Sequence, residues 1–237
     1  MKIKNFFIHT GKMLSYLVLY AAIIIIGLIA ISRYENNMTL YYFLNAGVYL
    51  ISIFIAYMFN KKSNSFIFGF SRMKKMSWLL TIYITFVMLT PLLFYKVEIS
   101  DMKLFFLSLL SQLIISIAEE IYYRGVLFRE GTKINYFSAI LITSILFIHW
   151  GDYGSFQENM LVYSNSFLIS VLFCLLTLYS KSLLPAIFFH VLVNFVEMAV
   201  PQLSDGFFLF SILFLPAIIY LVILLKKENL LFFKSMD

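Results

Sequence analysis

Leu104 to Phe128 reads LFFLSLLSQLIISIAEEIYYRGVLF, and the reading of this stretch decides the fold. A membrane-spanning helix needs about 20 mostly apolar residues. The stretch has that length, with Glu119, Glu120 and Arg124 towards its end. If it crosses a bilayer, the chain keeps ionisable side chains inside the membrane. Such groups cost on the order of 2.5–3.5 kcal/mol each on insertion scales, so by default they point to function.

The rest of the chain supports the membrane reading. Of its 237 residues, 62% are hydrophobic and only 13% are charged. Water-soluble domains are about 45–50% apolar and about 25% charged. The net charge of +6 comes from basic residues in short loops between apolar runs. A clustered basic face of the kind that binds nucleic acid is absent, so the expected partners are the lipid bilayer and a membrane-associated peptide or protein. Cys174 is the single cysteine. It excludes a disulfide within the chain and a cluster of thiolate ligands, and reads as a small apolar filler.

Eight candidate spans follow, at about 13–32, 39–59, 76–95, 104–128, 135–150, 160–179, 183–200 and 207–225. The first is preceded by Lys2, Lys4 and Lys12 but runs uncharged from Met13 to Ser32. That exceeds the roughly 7–15 residues of a signal-peptide core, and no small-x-small cleavage site follows it. With eight spans both termini share one side. Only Arg33, Lys96 and Lys103 of the 18 basic residues then fall on the other side, as the positive-inside rule asks of cytoplasmic termini. The expectation is an all-α, polytopic membrane helix bundle of about eight transmembrane helices. It forms one integral membrane domain over residues 1–237, with N- and C-termini cytoplasmic. The segment 60–75, NKKSNSFIFGFSRMKK, reads either as an interfacial stretch on the anionic inner leaflet or as an ordinary loop.

Within the spans the ionisable and strongly polar residues are few: Glu119, Glu120 and Arg124 in the fourth, His149 in the fifth, and His190, Asn194 and Glu197 in the seventh. At 1.5 Å per residue, Glu119 lies about 16 Å from a turn near Glu130. His149 lies about 21 Å into its span, His190 about 14 Å and Asn194 about 20 Å into theirs. Three helices thus supply polar side chains at one depth. Glu120 and Arg124 are four apart and pair on one face. Glu119 projects about 100° away and is available for another task. His190 and Asn194, also four apart, point the same way. A carboxylate and an imidazole around a water form a general-base pair. A second imidazole and a carboxamide can donate to a developing oxyanion. The set suits hydrolysis of a peptide bond, and no serine or cysteine nucleophile stands out.

Ala118-Glu119-Glu120-Ile121-Tyr122-Tyr123-Arg124-Gly125 reads EExxxR followed by glycine, and His190-Val191-Leu192-Val193-Asn194 reads HxxxN. Together with the preceding Ser182–Phe189, these motifs resemble those of the CAAX protease and bacteriocin-processing (CPBP) family, also called Abi or CAAX prenyl protease 2-like. The resemblance covers about 104–200. The family's middle motif is FxxxH. Here His149 fits, but Ile145 stands where the phenylalanine is usual, with Phe147 two residues before the histidine. The resemblance implies an eight-helix intramembrane endopeptidase of the Ras-converting type. It implies that Glu119 and His149 activate water, that His190 and Asn194 stabilise the oxyanion, and that Glu120 with Arg124 supports the site. It also implies a bacterial plasma membrane location, with roles in bacteriocin self-immunity or maturation of peptide signals. The expected cofactor is none. A zinc site would draw on Glu119, His149 and His190, but HExxH is missing, and Asn194 beside His190 suits oxyanion binding better.

Two other function classes use the same residues. A non-proteolytic scaffold or regulatory protein would keep the fold and survive Glu119→Gln. A proton-coupled transporter would also bury Glu and His, but the two halves lack paired broken helices.

Overall fold

In lipid a backbone N–H or C=O finds no solvent partner, so a chain this apolar closes its hydrogen bonds inside helices. The computed structural model describes residues 3–60, 76–148, 156–200 and 212–228, and among these the only regular structure is helical. In chain order the segments are α1 (Ile3–Ile31), α2 (Met38–Asn60) and α3 (Trp78–Leu89, extended past Thr90 by Pro91–Phe94). Then comes α4, which is α-helical over Met102–Glu120, π-helical over Ile121–Phe128 and closes with a last α turn, Arg129–Thr132. The chain continues as α5 (Tyr136–Leu146), α6 (Phe156–Ser180), α7 (Leu184–Ala199) and α8 (Leu215–Lys227).

Each segment falls on one of the eight expected spans. Phe6–Tyr34, Met38–Met58, Met102–Thr132 and Met160–Ser180 are long and apolar enough to cross a membrane, which makes this a multi-pass membrane protein. Trp78–Phe94, Tyr136–Leu146 and Leu184–Ala199 are shorter apolar helices. Two boundaries differ from expectation. Helix α1 begins at Ile3, well before Met13, because the polar residues ahead of Met13 have a partner: His9 Nδ1 lies 2.7 Å and Lys12 Nζ 3.8 Å from Glu130 Oε1. Helix α5 ends at Leu146, short of 150, and His149 lies outside the described residues. So does the segment 60–75 beyond Asn60.

Local chemistry sets the helix ends. The Asp101 carboxylate accepts from Leu104 N–H at 3.1 Å, and the Asn135 side chain accepts from Ser138 N–H at 2.7 Å. Both residues sit where an N-cap is favoured. Pro185 occupies the first turn of α7, where its missing N–H costs nothing. Lys181, at φ 57°, takes the left-handed turn between α6 and α7. The hairpin between α4 and α5 is tight: a Cβ on Gly131 would sit 3.0 Å from the Cα of Ala139. Glycine is what lets the two helices approach there.

The bundle buries two large apolar clusters. One joins α3, α6, α7 and α8 around Phe173, Leu176, Phe189, Val196 and Leu221. The other joins α1, α2 and α4 around Tyr20, Tyr49, Tyr122 and Tyr123. The Tyr122 hydroxyl donates to the Ser52 carbonyl at 3.1 Å, tying α4 to α2. Large apolar side chains such as Val18, Ile26, Phe54, Trp78 and Phe86 are exposed on the outer faces. In water such a surface would aggregate, whereas against lipid it is in its own solvent.

Candidate active site

The unusual helix geometry begins where the charges begin. Helix α4 is regular up to Glu120 and widens into the π-helical stretch Ile121–Phe128. Such wide turns are rare and recur at functional sites. Here the widened stretch carries Arg124, whose side chain, like that of Glu120, is wholly buried. Arg124 Nη1 donates to Glu120 Oε1 at 2.9 Å. Its Nη2 donates to Ser170 Oγ at 2.7 Å, from α6. The guanidinium also lies 4.2 Å from the Phe147 ring centroid and 5.3 Å from that of Phe173. A buried charge is tolerable only when paired and hydrogen-bonded in this way.

The same carboxylate reaches the histidine of α7. His190 Nδ1 is 2.9 Å from Glu120 Oε1. An ionised carboxylate accepts only, so Nδ1 carries the proton and the ring is held in one orientation. His190 Nε2 is thereby turned to Glu119, whose Oε2 is 3.5 Å away. Phe147 packs edge-on to the imidazole at 5.7 Å and Phe173 tilts over it at 5.6 Å. One turn further along α7, Asn194 Nδ2 donates to Ser116 Oγ at 3.0 Å and to Gln112 Oε1 at 3.2 Å.

Of these groups Gln112, Glu119, Phe147, Phe173, His190 and Asn194 border a cavity of about 150 Å³. Its polar wall comes from Gln112 and Glu119 of α4, Asn165 and Ser166 of α6, and His190, Asn194 and Glu197 of α7. Its apolar wall, with Ile115, Phe147, Phe173 and Val193, draws on both buried clusters. A space that holds a carboxylate, an imidazole and a carboxamide within an apolar shell can take a water and a polar chain.

Of the residues expected from sequence, Glu119, Glu120, Arg124, His190 and Asn194 come together. Glu120 does more than was expected of it, since it serves His190 as well as Arg124. The zinc set Glu119, His149 and His190 depends on His149, which is not described; among the described residues no group of three His, Cys, Asp or Glu is placed to hold a metal ion. The aromatic contact expected of the FxxxH position is made by Phe147, while Ile145 is exposed. Sequence reading missed Gln112, Ser116, Asn165 and Ser170. A signal for the first two existed: Ser108, Gln112, Ser116, Glu120 and Arg124 recur every four residues along one helix.

The family model for type II CAAX prenyl endopeptidase Rce1-like proteins matches residues 101–196. This segment carries both motifs and every described polar residue of the cavity except Glu197. The match agrees with the family resemblance of EExxxR and HxxxN and indicates an enzyme of the CAAX-protease type. No curated protein and no solved structure matches the chain.

Proposed function

We propose that the Rce1-like core makes this chain an intramembrane endopeptidase that hydrolyses a peptide bond in a membrane-associated peptide or protein. The observation that carries the reading is that Glu119, His190 and Asn194 border one cavity at the meeting of three apolar helices. In this scheme Glu119 takes a proton from a water that attacks the scissile carbonyl carbon. The carbonyl π bond becomes an oxyanion, and the proton passes to the leaving nitrogen as the C–N bond breaks. General-base assistance of this kind contributes about 10²–10⁴-fold.

His190 is oriented by Glu120 and presents Nε2 to the same space. When doubly protonated, the ring donates to the oxyanion. His149 keeps, on sequence grounds, its assignment beside Glu119 in activating water. The reaction as drawn needs no metal ion. HExxH is absent, and His190 is oriented by a carboxylate on one nitrogen and faces another carboxylate with the other.

The test uses purified protein in nanodiscs with internally quenched peptides, one farnesylated and ending in Cys-aliphatic-aliphatic-Met, one unprenylated. Cleavage by the wild type and its loss in Glu119→Gln and His190→Ala is the expected result. Equal cleavage by wild type and variants would sink the proposal.

A further inference from the structure

Asn194 is placed to bind an oxyanion, yet its amide hydrogens are already engaged. One goes to Ser116 Oγ and the other to Gln112 Oε1. The Ser116 hydroxyl proton is itself given to the Gln112 backbone carbonyl at 2.8 Å. Ser116 Oγ therefore meets Asn194 as an acceptor, which fixes the NH₂ end of the Asn194 carboxamide against α4. The two partners differ in kind. Ser116 is fully buried and held by its own helix, whereas the Gln112 side chain is only partly buried and borders the cavity. Gln112 Oε1 is also an amide carbonyl oxygen, the same acceptor that a peptide bond would offer.

We infer that Gln112 is a built-in stand-in for the scissile carbonyl, occupying one Asn194 N–H at rest and giving way to a peptide carbonyl that enters the cavity. The inference rests on the endopeptidase reading and adds a residue that sets how strongly substrate is held. A buried donor left without a partner is costly, and Gln112 satisfies this one while no substrate is bound. Ser116 retains the second N–H, so the carboxamide keeps its orientation during the exchange. Gln112 and substrate then compete for one donor. Apparent affinity is scaled by the fraction of time that Gln112 leaves the donor free, so a Gln112 engaged about four-fifths of the time weakens binding by about fivefold.

Binding is read on protein carrying Glu119→Gln, which stops turnover and leaves Asn194 in place. The probes are fluorescein-labelled versions of the farnesylated and unprenylated peptides, measured by anisotropy in nanodiscs. Gln112→Leu is expected to lower Kd about fivefold, and Gln112→Met, which keeps an unbranched chain without the acceptor, to do the same. Adding Asn194→Ala should abolish the gain. A merely structural Gln112 would give unchanged or weaker binding, or a gain that persists without Asn194, and either result overturns the inference. Binding with the predicted gain, but no cleavage when Glu119 is intact, would remove the endopeptidase reading and leave the role of Gln112 standing. Failure of every variant to bind either peptide would overturn both.

Discussion

His190 Nδ1 lies 2.9 Å from Glu120 Oε1, the same oxygen that accepts from Arg124 Nη1. A single carboxylate oxygen thus joins the buried cation of α4 to the imidazole of α7. Glu120→Gln keeps an acceptor but removes the charge that both partners use. Breaking a buried pair by removing one member costs about 3–5 kcal/mol, so the variant should unfold well below the wild type in detergent. Its residual peptide cleavage should fall too, because a neutral amide holds the His190 ring more weakly than the carboxylate does. Wild-type thermal stability together with wild-type cleavage would contradict this arrangement.

Glu119→Gln should behave differently. Glu119 borders the cavity and faces His190 Nε2 at 3.5 Å. Its amide is nearly the same size, so the unfolding temperature should stay close to the wild type. Loss of a general base should lower kcat by about 10²–10⁴-fold. The contrast between neighbouring variants is the informative measurement, since equal effects on fold and rate would deny the two carboxylates separate roles.

Ser170 supplies the second anchor of Arg124. Ser170→Ala removes a 2.7 Å bond to a buried guanidinium, and hydrogen bonds to charged groups contribute about 1.5–3 kcal/mol. A loss of that size in chemical unfolding is expected. Combined with Glu120→Gln the losses should not add, because both act on one side chain.

Much of this site was legible before any coordinates. Carboxylates and histidines in apolar spans are conspicuous because lipid makes them costly, and helical rise sufficed to put Glu119, His190 and Asn194 at one depth. Their hydrogen-bond partners were less visible. Gln112 and Ser116 were in plain view as a four-residue ladder ending at Glu120 and Arg124, but uncharged polar residues carry a weak signal in a membrane helix. Ser170 had no signal, since its partner is 46 positions away and nothing in α6 marks it. The widening of α4 was equally hidden: Ile121–Phe128 has the composition of an ordinary helix, and tertiary packing decides its pitch.

At the other end of α4, Glu130 is buried with His9, Lys12 and Lys133 gathered on it. Glu130→Gln should release the first turns of α1. Hydrogen–deuterium exchange over residues 6–12 should rise while α6 and α7 stay protected. Unchanged exchange there would mean that apolar packing alone holds the N-terminal helix.

Metal dependence can be read directly. With Glu119 as base and no metal in the scheme, a chelator should leave cleavage unaffected, and elemental measurement on the purified protein should find zinc well below one per chain. Stoichiometric zinc that leaves together with activity would replace the scheme.

The π-helical turn has a consequence for how this sequence can change. A wide turn is an α-helix holding one residue too many, and the widening takes up that residue so that the helix on either side keeps its face. Removing a single residue between Ile121 and Phe128 would let the helix relax to its usual pitch, with Glu130 and Gly131 left roughly in phase with Glu119. Removing one from the regular turns before Glu120 would instead swing everything after it by roughly 100°. Two stretches of one helix thus differ in how they bear the loss of a residue.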